Sequence, residues 1–172
     1  MNEPKEAAGV RPGSARSIDS LADFHAALIW ALGQATARRA RRLVWSDPDF
    51  AGWPLDDAAL IGALGDWLDL PQRELTLLAA DFGRLPRACP RFTAWRRDRS
   101  HAIHARACDE ADAPSVPSLL LDDGPVLLTL ADKSRWRGRA VVDARDAHRA
   151  REQIDALLQR SAPSWPVTTL GL

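Results

Sequence analysis

The chain has 172 residues, 46% of them apolar, with 23 Lys and Arg balanced by 23 Asp and Glu. A chain this long buries roughly two-thirds of its extended surface on folding, so a single domain with an ordinary core is expected. Two cysteines exclude a disulfide framework, no apolar run resembles a signal peptide or a membrane span, and the neutral balance excludes a global field toward nucleic acid or membrane; a cytoplasmic setting is expected.

Residues 1–16 hold two prolines, two glycines and no apolar period, and read as a disordered leader to a domain over 17–172. Ser20 or Asp19 can cap a first helix whose apolar positions Leu21, Phe24, Leu28, Leu32 and Ala35 recur at helical spacing up to Arg38. Leu43–Trp45, closed by Ser46-Asp47-Pro48, reads as a strand. Asp56 and Asp57 open a second helix with Leu60, Ile61, Leu64, Trp67 and Leu68 on one stripe, ended by Pro71. Glu74–Ala79 is a second buried strand running into Asp81, and the alternation predicts an α/β layer fold with parallel neighbours.

Pro86 or Pro90 can start a third helix reaching about Arg99. Over Arg84–Arg99 six arginines face one acid, Asp98, the one concentrated basic stretch of a neutral chain. Ala102–Ala107 reads as a strand, followed by an acidic loop to Ser115. Val116–Leu121 and Val126–Leu130 flank Asp122-Asp123-Gly124-Pro125 as a hairpin at the centre of the sheet, and Ala140–Val142 adds a further strand. A last helix turns Ala147, Ala150, Ile154, Leu157 and Leu158 inward, and Trp165–Leu172 is expected to close as a short strand or arm.

The helix at SIDSLADFHAALIWAL, the strands LVWS and ELTLLAAD, the VPSLLLDDGPVLLTL hairpin and the following GRAVVDARDAHRAREQIDALLQRSAP resemble one half of the phospholipase D-like superfamily. More narrowly they resemble a proteobacterial domain of unknown function that also occurs behind acetyltransferase domains. The resemblance implies a mixed central sheet flanked by helices, and a motif H-x-K-x-x-x-x-D at the start of the hairpin. There the His attacks phosphorus, the Lys binds phosphate oxygens and the Asp orients a histidine. Setting the Asp on Asp123 puts Ser118 in the place of the Lys and Val116 in the place of the His; setting it on Asp122 gives Pro117 and Ser115. Neither register supplies nucleophile or cation, so phosphodiesterase chemistry of this kind is not expected. The resemblance also implies pairing of two copies across the motif face, here Val116, Ser118 and Leu120.

Beside that stand three readings of the residues themselves. Arg84, Arg87 and Arg91, with the loop Arg135-Trp136-Arg137 and Arg139, could hold a phosphate-bearing polymer such as nucleic acid while Trp136 stacks on a base; alternatively the arginines are solvated and Trp136 covers a sheet edge. Asp47, Asp81 and Asp123 could converge at one sheet edge and bind a divalent cation for hydrolysis, or merely cap and turn. His101, His104, Cys108 and Cys89 do not make a convincing metal set, because strand residues three apart diverge; no metal and no cofactor are expected, and no G-x-S-x-G, P-loop or G-x-G-x-x-G occurs.

Overall fold

The computed structural model describes residues 14–167. In chain order these form β1 (Ala15–Ile18), α1 (Leu21–Ala37), β2 (Arg42–Ser46), α2 (Ala58–Leu68), β3 (Glu74–Ala79), α3 (Leu85–Ala88), α4 (Pro90–Arg97), β4 (Ile103–Ala107), β5 (Ser118–Asp122), β6 (Val126–Asp132), β7 (Arg137–Val142), α5 (Ala144–Arg160) and β8 (Ala162–Pro163). One mixed sheet runs β1-β7-β6-β5-β2-β3-β4-β8. β2, β3 and β4 are parallel, while β5, β6 and β7 form an antiparallel meander joined to the parallel half through β5 against β2.

The helices start where their caps are. Ser20 Oγ accepts from the Asp23 amide at 3.1 Å, the Asp57 carboxylate accepts from Ala59 and Leu60, and the Asp143 carboxylate from Arg145 and Asp146. Asp56, the other candidate cap of α2, instead reaches across to the Phe92 amide of α4 at 2.9 Å. Both prolines of the expected third helix are used: each opens its own short helix, and the chain breaks between them at Cys89.

Residues on alternate faces of the sheet feed two cores. Leu43, Trp45, Leu75, Leu77, Leu120 and Leu128 pack under α1, α2 and α4, whereas Leu78, Leu119, Leu121, Leu127 and Val141 pack under α5. Where β6 pairs with β7 the register shifts at Leu130 and Asp132, and Gly138 fits there because a Cβ would overlap the Thr129 carbonyl.

Two boundaries differ from expectation. Ala15 and Arg16, placed in the leader, belong to β1, which pairs antiparallel with the outer edge of β7; that pairing is made by backbone and leaves no apolar period to read. The rest of the leader, and the end of the tail beyond Val167, lie outside the described residues. The closing strand falls at Ala162–Pro163 against β4, ahead of Trp165, whose indole stacks on Phe82 and lies 4.1 Å from the Arg96 guanidinium.

Candidate functional site

The carboxyl ends of β2 and β3 and the start of β5 meet at one edge of the sheet. Asp47, the residue after β2, is fully buried there. Its carboxylate collects five donors. Oδ1 accepts from the Asp49 amide at 3.1 Å, the Phe50 amide at 2.7 Å and Lys133 Nζ at 2.5 Å; Oδ2 accepts from Trp53 Nε1 at 2.8 Å and Ser118 Oγ at 2.6 Å. Burial of an ion is tolerated only with such saturation. Lys133, on the turn after β6, also binds Asp49 at 2.8 Å. Against the cost of burial, Lys133 and the Ala51 amide hold the Asp49 carboxyl below its usual range.

Two clefts flank this hub. One of about 570 Å³ is lined by Asp49, Gly52, Lys133, Ser134 and Trp136; the other, about 310 Å³, by Asp49, Phe50, Trp53, Arg84 and Cys89. The Asp49–Gly52 segment is common to both, so Arg84 and the Lys133–Trp136 turn lie on its two sides. Arg84, Arg87 and Arg91 are exposed, as are Arg135 and Arg137. Arg139 is not part of this edge: it pairs with Asp146 of α5 at 2.7 Å. Arg96 and Arg99, from the same basic stretch, are committed to the rings of Trp165 and Trp95.

Trp136 does not stand free for a base. Its backbone is left-handed, φ 52°, its ring stacks on Phe24 at 5.3 Å, and a Cβ on Gly52 would overlap it. It covers the sheet edge, the simpler of the two expected roles.

The three carboxylates do not converge. Because β5 runs antiparallel to β2, with Ser46 opposite Leu119 and Leu43 opposite Asp122, Asp123 sits at the opposite edge, about 15 Å from Asp47 along the strands. There it accepts from the Arg41 amide at 3.2 Å, while Asp81 accepts from Gly83 at 2.7 Å as a turn residue. Asp122 is buried as well; burial pushes its carboxyl up, opposed by the Val126 and Gly124 amides. Among the described residues no three His, Cys, Asp or Glu side chains form a metal cluster. His101 and His104 are exposed, and burial pushes the Cys89 and Cys108 thiols up, which disfavours the reactive thiolate.

The motif positions also depart from the expected pairing face. Val116, Ser118 and Leu120 are all buried within the molecule, Leu120 in the core beneath the helices, and offer no exposed interface. The residues that sequence reasoning left out are Lys133, Asp49 and Trp53 as partners of Asp47. The one available signal was a lysine in a chain whose other cations are almost all arginine.

No protein-family model and no curated protein sequence matches the chain. Two solved structures are similar to it. TrmBL2, an archaeal chromatin protein whose structure shows a novel mode of DNA binding, superposes with a TM-score of 0.62 at 13% identity over 94% of this chain; the chain spans 57% of the length of TrmBL2. Nuc from Salmonella typhimurium, a phospholipase D family member, superposes with a TM-score of 0.59 at 9% identity over 90% of this chain and 99% of its own. At such identities the likeness is one of fold. With its eight-stranded mixed sheet and flanking helices, the chain is a single α/β domain of phospholipase D-like fold.

Proposed function

We propose that this chain is a non-catalytic binding module on a phospholipase D-like scaffold, and that its basic edge takes the phosphate backbone of a nucleic acid. The observation that carries the first half is the Ser118–Asp47 hydrogen bond of 2.6 Å. In the register that sets the motif on Asp123, Ser118 stands where a phosphate-binding lysine is needed, and its hydroxyl is turned inward to a carboxylate already saturated by Lys133 and Trp53. Val116, in the place of the nucleophile, has no lone pair to offer phosphorus. The opposite-edge position of Asp123 removes the support for a three-carboxylate metal hydrolase.

The second half rests on Arg84, which lines the cleft beside the Asp49–Gly52 segment, on Arg87 and Arg91, exposed further along the same basic stretch, and on the exposed Arg135 and Arg137 of the turn that follows Lys133 on the other side. That one neighbour in fold, TrmBL2, binds DNA fits this reading. Phosphate contacts of this kind carry no base preference and weaken steeply with salt. The test is fluorescence anisotropy of labelled single- and double-stranded DNA and RNA across salt concentrations, with R84E/R87E/R91E as the variant. Binding whose logarithm falls with log salt by about 0.9 per phosphate contact, and which disappears in the variant, supports the reading. No binding at low salt refutes it.

A further inference from the structure

Arg96 is buried without a counter-ion. It lies on the inner face of α4, one turn after Phe92, and is only 5% exposed. Its guanidinium lies over the Trp165 indole, 4.1 Å from the ring centroid, a contact that attracts the charge but offers no lone pair to the N–H groups. Nε is sealed from solvent with no acceptor, and among the described residues no carboxylate pairs with the guanidinium. Asp98, two residues on, is exposed. Burial pushes the guanidinium pKa down, and no charged group opposes it. Arg99 shows the ordinary arrangement: it also lies over an indole, that of Trp95, but it is half-buried and donates to the Trp95 carbonyl at 3.3 Å. A buried arginine is ordinarily paired.

Arg96 borders a cleft of about 460 Å³ at the outer edge of β4, lined also by Thr76, Ser100, His104, Arg106 and Trp165 and by no carboxylate. β8 covers β4 only opposite Arg106 and Ala107, which leaves the edge beside Ile103 and His104 to this cleft. Ile103 and Ala105 face the core beneath α4, and alternation along the strand sends His104 and Arg106 to the other face. The cleft therefore wraps the strand edge, with Arg96 on one side and Arg106 on the other. Arg106 spends Nε on Ser161 Oγ at 2.7 Å and one Nη on the Ser161 carbonyl, which leaves its second Nη.

We propose that this cleft binds the phosphate group of a small phosphomonoester, with Arg96 as the primary contact and Arg106 as the second. Charge decides the class of ligand. A desolvated cation without a partner is satisfied by an anion. Two guanidinium groups, hydroxyl donors and no acid match a dianion with several acceptor oxygens, whereas a carboxylate is satisfied by one guanidinium fork. The volume is that of a small-molecule site. No residue of this cleft lines the two clefts that flank the Asp49–Gly52 segment, so the proposal is independent of the nucleic-acid reading.

Thermal unfolding tests it in the R84E/R87E/R91E background, where phosphate held by the basic edge does not contribute. Inorganic phosphate, glycerol phosphate, acetate and chloride are compared at about 20 mM and matched ionic strength. With a Kd on the order of 1 mM, both phosphates raise the melting temperature by about 4–7 °C over chloride, and acetate does not. Arg96→Met keeps an apolar stem against Trp165, removes the charge and loses this rise; any general stabilisation by phosphate persists in the variant and is subtracted. Arg96→Lys keeps the charge without the planar fork, binds about tenfold more weakly and retains about a third of the rise, which decides the matter should Arg96→Met not fold. No rise over chloride, a rise with inorganic phosphate alone, an equal rise with acetate, or an undiminished rise in either Arg96 variant overturns the proposal.

Discussion

Replacing Asp47 by Asn removes one charge and changes almost no volume, so it isolates what the buried carboxylate contributes. The Asn carbonyl can stand in for one oxygen and its amide for the other, but an amide nitrogen cannot accept. If the carbonyl serves the Phe50 and Asp49 amides, then Trp53 Nε1 and Ser118 Oγ lose their acceptor in a fully buried setting. An unsatisfied buried donor costs about 1–3 kcal/mol, and removing one partner of a buried ion pair costs about 3–5 kcal/mol in all. Lys133 is only 26% exposed and keeps Asp49, which softens the loss toward the lower figure. For a chain of this size about 3 kcal/mol is a fall of roughly 6–12 °C in melting temperature. Urea unfolding followed by the summed fluorescence of the seven tryptophans measures it. The companion is Lys133→Met in a double-mutant cycle, for which the ion pair predicts a coupling of at least about 1 kcal/mol. Asp47→Asn within about 0.5 kcal/mol of the wild type, or strict additivity with Lys133→Met, would refute the reasoning that Asp47 organises this edge.

Two further expectations concern single positions. The folded-state pKa of Asp122 is raised above the unfolded value of 3.8 by burial, so the native state holds the proton more tightly and stability falls as pH rises through the interval from 3.8 to that folded value. Asp122→Asn keeps an acceptor for the Gly124 and Val126 amides, and is expected to stabilise the protein at pH 7 and flatten its stability profile in that interval, measured by urea unfolding from about pH 4 to 7. Asp49 acts in the opposite sense: its lowered carboxyl contributes stability above 3.8 that is lost as pH falls through the folded value. Gly138→Ala places a methyl into the Thr129 carbonyl and Leu130 Cα, which are backbone and cannot swing away; a loss of about 3 kcal/mol or more in chemical unfolding is expected, and a neutral variant would refute a close approach of β6 and β7 at this bulge.

The order of the elements from α1 to α5 and two of the helix caps are legible in the sequence, because apolar period and capping chemistry are local: Ser20 and Asp57 sit where their helices begin, and the Val116–Leu130 hairpin spans the turn Asp-Asp-Gly-Pro. The sequence determined as well that no motif lysine or histidine stands at Ser118 and Val116. It did not reveal β1, whose hydrogen bonds are made by backbone alone, nor the split of the third helix at Cys89. Which side chains share a place depends on how the strands pair. The antiparallel pairing of β5 with β2 sends Asp123 to one edge and leaves Asp47 at the other, and brings Ser118 and Lys133, 71 and 86 residues away in sequence, onto the same carboxylate. A neighbour relation of that kind depends on strand direction and register, which the spacing of residues along one strand does not encode.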